Sequence, residues 1–342
     1  MPTSLQTDGV DRLGPIALLT AVALTVALSA CADGVAPGSS PNDFPTAAAL
    51  GKGGNGGGGN AGEPRIAFVK NDPDYDRGSI FIKAATGLSE ADPGVQVTFG
   101  DKDRLPAWSP DYRKIAFQRL DSDQYEYIYV TSVSGGGQPK KLVGGYTPRW
   151  SPDGTKIAFN KFAADGNSTN GDIYVMTPTG GNITRLTTAP GDDFFPSWSP
   201  DGSQIAFASH RTGTHEIFVM NADGTGQTQV TNCAIEGAQC SAPSWSPVPG
   251  HNRLVYYYAG TLLGSDFTAI RTISTNGTGL ATVLVTPGLG KVDWSPDGQR
   301  IAFTSNHGGR TRPEVFTIGA GGTGLEQVTA SIKAEFDVAW IR

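Results

Sequence analysis

Short apolar segments recur along the chain from residue 65 to the C-terminus. Ile-Ala-Phe appears at 66–68, 115–117, 157–159, 205–207 and 301–303, and Leu-Val-Tyr-Tyr at 254–257 takes its place once. A second apolar segment follows each of these, as in EIFVM from Glu216, and a third usually ends in VT or LT, as in TQVT at 228–231. Short runs rich in β-branched and aromatic residues between turn signals predict β-strands.

All six tryptophans belong to a fourth segment of the same repeat. They are 42, 48, 47, 49 and 46 residues apart, and five are followed by Ser-Pro. Three continue as Ser-Pro-Asp-Gly, in which proline presets φ and glycine accepts a positive φ. This turn should close a hairpin between the tryptophan segment and the Ile-Ala-Phe segment. Large apolar side chains repeated in this way predict structural wedges between neighbouring units: Trp108, Trp150, Trp198, Trp245, Trp294 and Trp340.

Four antiparallel strands in fewer than fifty residues is the period of a β-propeller blade. The repeat begins at an Ile-Ala-Phe strand and ends with a tryptophan strand, 336–342. The two incomplete ends complement each other, so the last strand should become the innermost strand of the first blade. Closure of this kind removes free sheet edges. The sequence therefore predicts an all-β, six-bladed propeller over residues 64–342, with four antiparallel strands per blade and a ring closed by the C-terminal strand.

The N-terminal segment reads as an export signal. Residues 13–30 form an apolar run that ends in small residues before Cys31, as in a signal peptide. Leu28-Ser29-Ala30-Cys31 resembles the bacterial lipobox, which implies cleavage after residue 30 and lipidation of Cys31. The usual positive charge before the apolar run is weak, since Arg12 is accompanied by Asp8 and Asp11. An ordinary secretory signal or an uncleaved anchor is the alternative.

Residues 31–63 show no hydrophobic periodicity, and 51–62 contain eight glycines. Such a composition predicts a flexible tether that buries too little apolar surface to order itself. The predicted order is thus a signal peptide (1–30), a glycine-rich tether (31–63) and a propeller (64–342). A lipid anchor on the tether would hold the propeller at a membrane, in the periplasm or on the cell surface.

The repeat P-x-W-S-P-D-G-x-x-I-A-F…E-I-[YF]-V-M-N-A-D-G…x-V-T is similar to the WD40-like repeat of the TolB family, and residues 196–231 match it almost throughout. The resemblance implies a non-enzymatic propeller of the bacterial cell envelope that binds a protein or peptide. TolB also carries an α/β domain before its propeller, where this chain has the tether. Two turns depart from the repeat: Tyr112 replaces the turn glycine, and 246–253 are lengthened.

The net charge of −6 argues against a nucleic-acid partner, because phosphate binding needs a basic face. We expect a monomer. In the predicted topology, the connections between second and third strands share one face with those between blades, and variable loops on a rigid scaffold commonly carry function. The candidate binding residues on this face and at the channel mouth are Asp72, Asp74, Arg119, Tyr146, Arg149, Asp192, Asp193, Phe194, His210, Arg211, His215, Tyr257, Lys291, His307, Arg310 and Phe336.

The sequence gives only weak indications of a metal site. Asp72, Asp74 and Asp76 alternate as in a calcium loop, but Gly78 falls one position late and Lys83 stands where a glutamate is needed. A solvated acidic loop is the simpler interpretation, so no cofactor is expected and calcium is the alternative. Related propellers include pectin-fragment lyases with channel histidines on a metal. A metal-assisted carbohydrate lyase or a sugar-binding lectin on the same face is therefore the alternative function.

Peptidase activity is not expected, because the sequence contains no Gly-x-Ser-x-Gly motif. Cys233 and Cys240 bracket six residues in the loop that enters the Trp245 strand. An even pair of cysteines in an exported protein predicts a disulfide, with two free thiols as the alternative. The bond would rigidify a loop on the predicted binding face. A purely structural role for the whole chain is the remaining possibility.

Overall fold

The computed structural model describes residues 65–72, 77–85, 94–100, 102–134, 137–162, 170–262, 265–330 and 334–341. These residues all fall within one compact unit, 52–342. The predicted signal peptide, the tether and the lipidation site Cys31 lie outside the described residues, as do Asp74 and Asp76. Within the described ranges, no helix is long and apolar enough to cross a membrane.

The described chain is built almost wholly from β-strands. The first twelve are β1 (Arg65–Asp72), β2 (Arg77–Ala84), β3 (Val95–Gln96), β4 (Asp103–Trp108), β5 (Lys114–Leu120), β6 (Glu126–Ser132), β7 (Lys140–Gly144), β8 (Tyr146–Trp150), β9 (Ile157–Phe162), β10 (Gly171–Met176), β11 (Thr184–Arg185) and β12 (Asp193–Trp198). The remaining twelve are β13 (Gln204–Ser209), β14 (Glu216–Asn221), β15 (Thr228–Gln229), β16 (Gln239–Trp245), β17 (Arg253–Leu262), β18 (Ser265–Ser274), β19 (Ala281–Val285), β20 (Val292–Trp294), β21 (Arg300–Ser305), β22 (Glu314–Gly319), β23 (Glu326–Gln327) and β24 (Glu335–Trp340). A 3-10 helix spans Cys233–Glu236.

The strands form six four-stranded antiparallel sheets, which confirms the predicted six-bladed propeller. Blade 1 has the order β24-β1-β2-β3, and blades 2 to 6 take β4–β7, β8–β11, β12–β15, β16–β19 and β20–β23 in chain order. The C-terminal strand pairs with the first strand, with Ile66 opposite Trp340 and Lys70 opposite Glu335. The predicted closure of the ring by β24 is therefore confirmed.

The hydrophobic core lies in the interfaces between neighbouring blades, which we call seams. Phe117, Phe159, Phe207 and Phe303, from the Ile-Ala-Phe strands, are fully buried. One seam cluster joins Ala206 and Ile217 of blade 4 to Leu254 and Trp245 of blade 5. A single blade cannot cover both faces of its own sheet. Stacking of the blades around the ring buries the apolar faces that an isolated blade would expose.

The tryptophans sit at these seams, and three of them also bond to the preceding blade. The indole Nε1 donates to a main-chain carbonyl of the preceding blade: Trp108 to Ala339 (3.3 Å), Trp198 to Arg149 (3.2 Å) and Trp294 to Ser244 (3.1 Å). Each acceptor is the residue immediately before the tryptophan of the preceding blade. The tryptophan strands thus join the blades by hydrogen bonds as well as by packing.

Two aspartates fasten the closing strand to its neighbours. Asp293 of blade 6 accepts a hydrogen bond from the Trp340 main-chain N–H (3.0 Å), and Asp337 of β24 accepts one from the Leu105 N–H of blade 2 (3.2 Å). These carboxylates lie where most other blades carry Ala, Ser, Leu or Thr. Hydrogen bonds to charged groups are stronger than neutral ones, so the closing strand is held on both sides.

Five of the six inner strands share a β-bulge three residues before the tryptophan. Leu105, Thr147, Phe195, Ala242 and Asp337 all have φ between 49° and 54° at this position. The strand register shifts at the same place, for example between Phe194 and Ser197. A bulge re-aims side chains and bends the strand. The residue just before the tryptophan, as at Ala107 and Arg149, lines the central channel.

The two ends of the ring differ in their loops. We call the end with the connections between second and third strands and between blades the loop face, and the end with the Ser-Pro turns the turn face. In three turns glycine takes a positive φ, as at Gly202 (72°), and Tyr112 adopts the same conformation with a φ of 60°. In each of these turns the serine hydroxyl donates to the aspartate two residues later, at 2.6 Å for Ser109 and Asp111. These bonds account for the lowered pKa of Asp111.

Glu335 in the closing strand should make the stability of the protein depend on pH. Burial raises the pKa of this carboxyl from 4.5 to about 7, with its Oε2 unbonded and Lys70 4.0 Å from Oε1. Between pH 4.5 and 7 the unfolded chain loses the proton that the folded chain keeps, so stability should fall as pH rises through this window, by up to about 3 kcal/mol.

The neutral variant Glu335→Gln should match the wild type at pH 4 and exceed its free energy of unfolding at pH 8. Urea denaturation at the two pH values measures the difference. Equal stability of the two proteins at pH 8 would contradict this role of the buried charge.

Candidate binding site in the central channel

The turn-face end of the channel is a cavity of about 340 Å³ to which all six blades contribute. Its walls are the tryptophan strands and the Ser-Pro turns that follow them. The lining residues are Ala107, Trp108, Ser109, Pro110, Tyr112, Arg149, Trp150, Ser151, Pro152, Ser197, Trp198, Ser199, Pro200, Pro247, Asp293, Pro296, Ala339 and Trp340. Tryptophan and proline residues therefore supply much of the apolar lining of the cavity.

Two charged side chains belong to this lining, Arg149 of blade 3 and Asp293 of blade 6. They come from opposite blades of the ring, at the position just before the tryptophan. The same position carries only Ala or Ser in the other four blades. Asp293 is buried and accepts a hydrogen bond from the Ser244 hydroxyl (2.6 Å). The cavity thus offers a mostly apolar surface with one positive and one negative group.

Further towards the loop face, charged side chains form contacts between blades along the wall of the channel. The buried Lys291 of blade 6 donates from Nζ to the Pro106 carbonyl of blade 2 (3.3 Å). Asp337 lies on the blade between them. Burial raises the pKa of Asp337, while the positive charge of Lys291 acts in the opposite direction. Three consecutive blades are therefore connected around the channel by polar groups.

Several predicted binding residues form ion pairs within the propeller. Arg119 bonds through two nitrogens to the buried Asp103 (2.5 and 2.9 Å), and Arg211 bonds to the predicted candidate Asp193 (3.0 Å). Arg310 bonds to Glu314 at 3.0 Å. Bidentate pairs of this kind orient both partners. These arginines therefore hold the ends of strands in place on the loop face.

His210 and His215 lie together on the loop face of blade 4. Their ring centroids are 5.0 Å apart, and His215 stands 4.9 Å from the Phe194 ring. Burial, and then the charge of His210, lower the pKa of His215. His307 belongs to blade 6 and contacts Phe316 and Thr286 instead. Two of the predicted histidines are therefore brought together, and the third is not.

The other candidates are spread around the ring. Tyr146 contacts Phe162 edge-on at 5.6 Å, and Asp192 accepts the Gly171 N–H (2.7 Å). Phe336 and Tyr257 pack partly into seam clusters. Of Asp72 only the main chain is described, as the end of β1. These candidates therefore do not converge on a single point.

Comparison with known proteins places the chain in a family. The family described as TolB beta propeller domain (PD40) matches residues 63–260, more than half of the chain. This chain belongs to the TolB β-propeller family. No curated protein sequence matches it.

Solved structures similar to this TolB-family propeller share its fold. TolB from Acinetobacter baumannii is 21% identical with a TM-score of 0.69, over 81% of this chain and 66% of that one. A putative TolB from Agrobacterium tumefaciens is 18% identical with a TM-score of 0.57, over 82% and 99% of the two chains. A chain of a nidogen/laminin complex is 10% identical with a TM-score of 0.62, over 82% and 98%. The chain therefore spans 66% of the length of the A. baumannii TolB.

In this TolB-family propeller, Cys233 and Cys240 are bonded, with their Cα atoms 6.1 Å apart. Together with Glu216 they form the one group of three metal-ligand residue types found close together in the described part of the chain. The sulfurs are oxidised, however, and Glu216 accepts hydrogen bonds from the Thr231 hydroxyl and from the N–H groups of Cys233 and Ala234. These three residues hold the loop in place.

Loss of the disulfide should lower stability. Its loop is short, with a separation of seven residues, so chain entropy predicts a loss of about 2.5 kcal/mol. The double variant Cys233→Ala/Cys240→Ala should show this loss in urea denaturation, and reduction of the wild type should reproduce it. An unchanged unfolding midpoint in both cases would contradict the prediction.

Sequence reasoning missed the cavity at the turn face. Its signal is the Trp-Ser-Pro repeat, which predicts blade structure, whereas the sequence predicts function on the variable loops. Arg149 was expected at the loop-face mouth and instead lines the turn-face cavity. The charged pair of Arg149 and Asp293 could have been found as the two departures from Ala or Ser before the six tryptophans.

Proposed function

We propose that this TolB-family propeller is an exported, lipid-anchored scaffold of the cell envelope that binds a protein or peptide partner through its central channel and loop face. The leader before Cys31 supports export and anchoring, and the TolB structures of similar fold support an envelope setting. The proposed location is the periplasm or the cell surface. No cofactor is required for this role.

The cavity at the turn face carries the proposal. Pockets of this size accept one or a few side chains, and grooves lined by aromatic residues are suited to extended proline-rich or apolar peptide segments. Trp198 and Pro200, with their counterparts from other blades, supply such a wall. Arg149 and Asp293 add polar groups that can orient a peptide main chain or a charged side chain.

The chemistry of the cavity favours binding over catalysis. Most serine hydroxyls in its wall already donate to turn aspartates, as Ser199 does to Asp201 at 2.6 Å. A nucleophilic serine needs a neighbouring base to accept its proton, whereas these carboxylates fix a hairpin turn. The paired histidines lie on the loop face, away from the Ser-Pro turns that line the cavity. The function best supported is therefore recognition.

A cavity-filling variant tests this function. Ala107 lines the cavity and Ala281 is exposed on β19, so Ala107→Leu should reduce partner capture from envelope extract at least tenfold, whereas Ala281→Leu should leave it unchanged. Affinity capture with quantitative mass spectrometry measures both, after thermal melts have shown that the variants fold. No specific partner for the wild type, or equal capture by all three proteins, would overturn the proposal.

A further inference from the structure

The innermost strand of every blade directs the main-chain N–H of its tryptophan towards the channel. In blade 2, Trp108 lies opposite Ile115, and the next residue, Ser109, donates its N–H to the Lys114 carbonyl (2.9 Å). Bonded and non-bonded pairs alternate in an antiparallel ladder, so the Trp108 N–H points away from β5, to the open edge of the sheet. The tryptophans of the other blades have the same register. One N–H donor per blade therefore surrounds the channel.

Side chains of the preceding blade accept hydrogen bonds from two of these donors. Trp245 donates its N–H to the Ser197 hydroxyl oxygen (3.0 Å), and Trp340 donates to the Asp293 carboxylate (3.0 Å). Each acceptor stands immediately before the tryptophan of its own blade, at what we call the capping position. In blades 4, 5 and 6 this position carries a side-chain oxygen, from Ser197, Ser244 and Asp293. A residue at the capping position can thus satisfy the tryptophan N–H of the next blade.

Blades 1, 2 and 3 have no acceptor at the capping position. The residues there are Ala339, Ala107 and Arg149. Alanine has no polar side-chain atom, and arginine has only donors. The three N–H groups left without a cap all belong to residues that line the turn-face cavity: Trp108, Trp150 and Trp198. In the described part of the chain, no side chain accepts a hydrogen bond from them. Because main-chain N–H groups inside proteins are normally paired, these three are suited to an acceptor that a ligand supplies.

Asp293 shows how a carboxylate fits this wall. One of its oxygens accepts the Trp340 N–H and the other accepts the Ser244 hydroxyl (2.6 Å), so a single carboxylate joins two blades. In blades 1 and 2, the alanines at the capping position leave open the space that the Asp293 side chain takes in blade 6. A carboxylate from outside the chain can therefore take the corresponding place beside the uncapped donors.

Arg149 supplies the matching charge. It lines the same cavity, and its guanidinium stays protonated and prefers the planar pair of oxygens of a carboxylate. Of the described residues that line the cavity, only Asp293 is acidic. Both of its oxygens are already bonded, and it lies on the blade opposite Arg149. The wall formed by blades 2 to 4 thus combines N–H dipoles with a cation and favours an anion.

We infer that the turn-face cavity binds a carboxylate of the partner. Its donors are the uncapped main-chain N–H groups, of Trp108, Trp150 and Trp198, and the Arg149 guanidinium. The inference rests on the proposed function and names the chemical group that the channel recognises. The carboxylate is either the end of the partner's chain or the side chain of an aspartate or glutamate, since both present the same pair of oxygens. The tryptophan and proline residues of the lining contact the apolar part of the same segment.

Nuclear magnetic resonance with isotope-labelled tryptophan tests the site in the full chain, in which Cys31→Ser prevents lipidation. The probes are N-acetyl-triglycine, with a terminal carboxylate, and N-acetylaspartyl amide, with a side-chain carboxylate; N-acetyl-triglycine amide is the neutral control. A carboxylate probe should shift the main-chain signals of the uncapped tryptophans and leave those of the capped Trp245 and Trp340 in place. Shifts with only one of the two probes identify the source of the carboxylate. No shift with either probe, equal shifts with the amide, or shifts with inorganic phosphate alone would overturn the inference.

Substitutions at the capping position measure the contribution of each group. Arg149→Met should weaken binding of the carboxylate probe by about tenfold or more, because a hydrogen bond between charged groups is lost, and Arg149→Lys should bind more tightly than Arg149→Met. Ala107→Asp supplies an internal carboxylate and should abolish binding. Ala281→Asp is its matched control on the exposed start of β19 and should bind as the wild type does. Wild-type affinity in Arg149→Met or in Ala107→Asp would overturn the inference.

Partner capture from envelope extract separates this inference from the proposed function. Loss of capture in Ala107→Leu together with wild-type capture in Arg149→Met would overturn the carboxylate site and leave binding through the channel intact. Carboxylate-dependent shifts in a protein that captures no specific partner would overturn the proposed function and retain the site. Loss of capture in both variants, with carboxylate-dependent shifts in the wild type, would support both.

Discussion

A chain that ends at Ala334 should fail to form a stable ring. It lacks β24 and with it the buried Val338, Ala339 and Trp340. Loss of one buried tryptophan alone costs about 3–5 kcal/mol, which is comparable to the whole stability of many domains. The truncation also exposes β1 as a free edge that can pair with other chains. We expect loss of the cooperative unfolding transition and extensive aggregation, measured by circular dichroism and size-exclusion chromatography.

The matched control for this truncation ends at Ile341 and so removes only Arg342. It keeps all of β24 and the Ile341 N–H bond to the Arg65 carbonyl (3.0 Å), and it should melt like the full chain. A chain ending at Ala334 that remains monomeric and melts within a few degrees of the full chain would show that ring closure contributes little to stability.

Replacement of Trp245 by alanine should be the most destabilising of the tryptophan substitutions. Trp245 is fully buried in the seam between blades 4 and 5, so its removal leaves a cavity and should cost about 3–5 kcal/mol. Trp150→Ala is the matched control, because Trp150 is only half-buried and should cost distinctly less. Neither indole Nε1 has a hydrogen-bond partner, so the comparison measures burial.

Urea denaturation of both variants gives the two differences in free energy of unfolding. Equal losses would mean that the side chains contribute through the local strand rather than through packing between blades. A loss below 1 kcal/mol for Trp245→Ala would contradict the wedge role assigned to the tryptophans.

The fold could be predicted from sequence because its determinants are local and repeated. Turn chemistry such as Ser199-Pro200-Asp201-Gly202 fixes each hairpin, and six copies of the same strand pattern fix the number of blades. Ring closure followed from the phase of the repeat at its two ends. The turn and strand patterns need only residues that are close in sequence, and ring closure needs only the order of the repeat at its two ends.

The site was harder to predict because it depends on geometry across the ring. The inner-strand bulge places non-glycine residues such as Leu105 and Phe195 at positive φ, and nothing in their identity signals this. The bonds from Asp337 to Leu105 and from Lys291 to Pro106 join residues 232 and 185 positions apart. The pairing of Arg119 with Asp103 could not be predicted for the same reason.

Site-specific photocrosslinking in intact cells tests the proposed recognition most directly. A benzophenone amino acid replaces Tyr112, which lines the channel cavity, or Leu280, which is exposed on the outside of blade 5. The account predicts one discrete crosslinked partner from position 112 and none from position 280. No adduct from position 112, or the same adducts from both positions, would contradict binding through the channel.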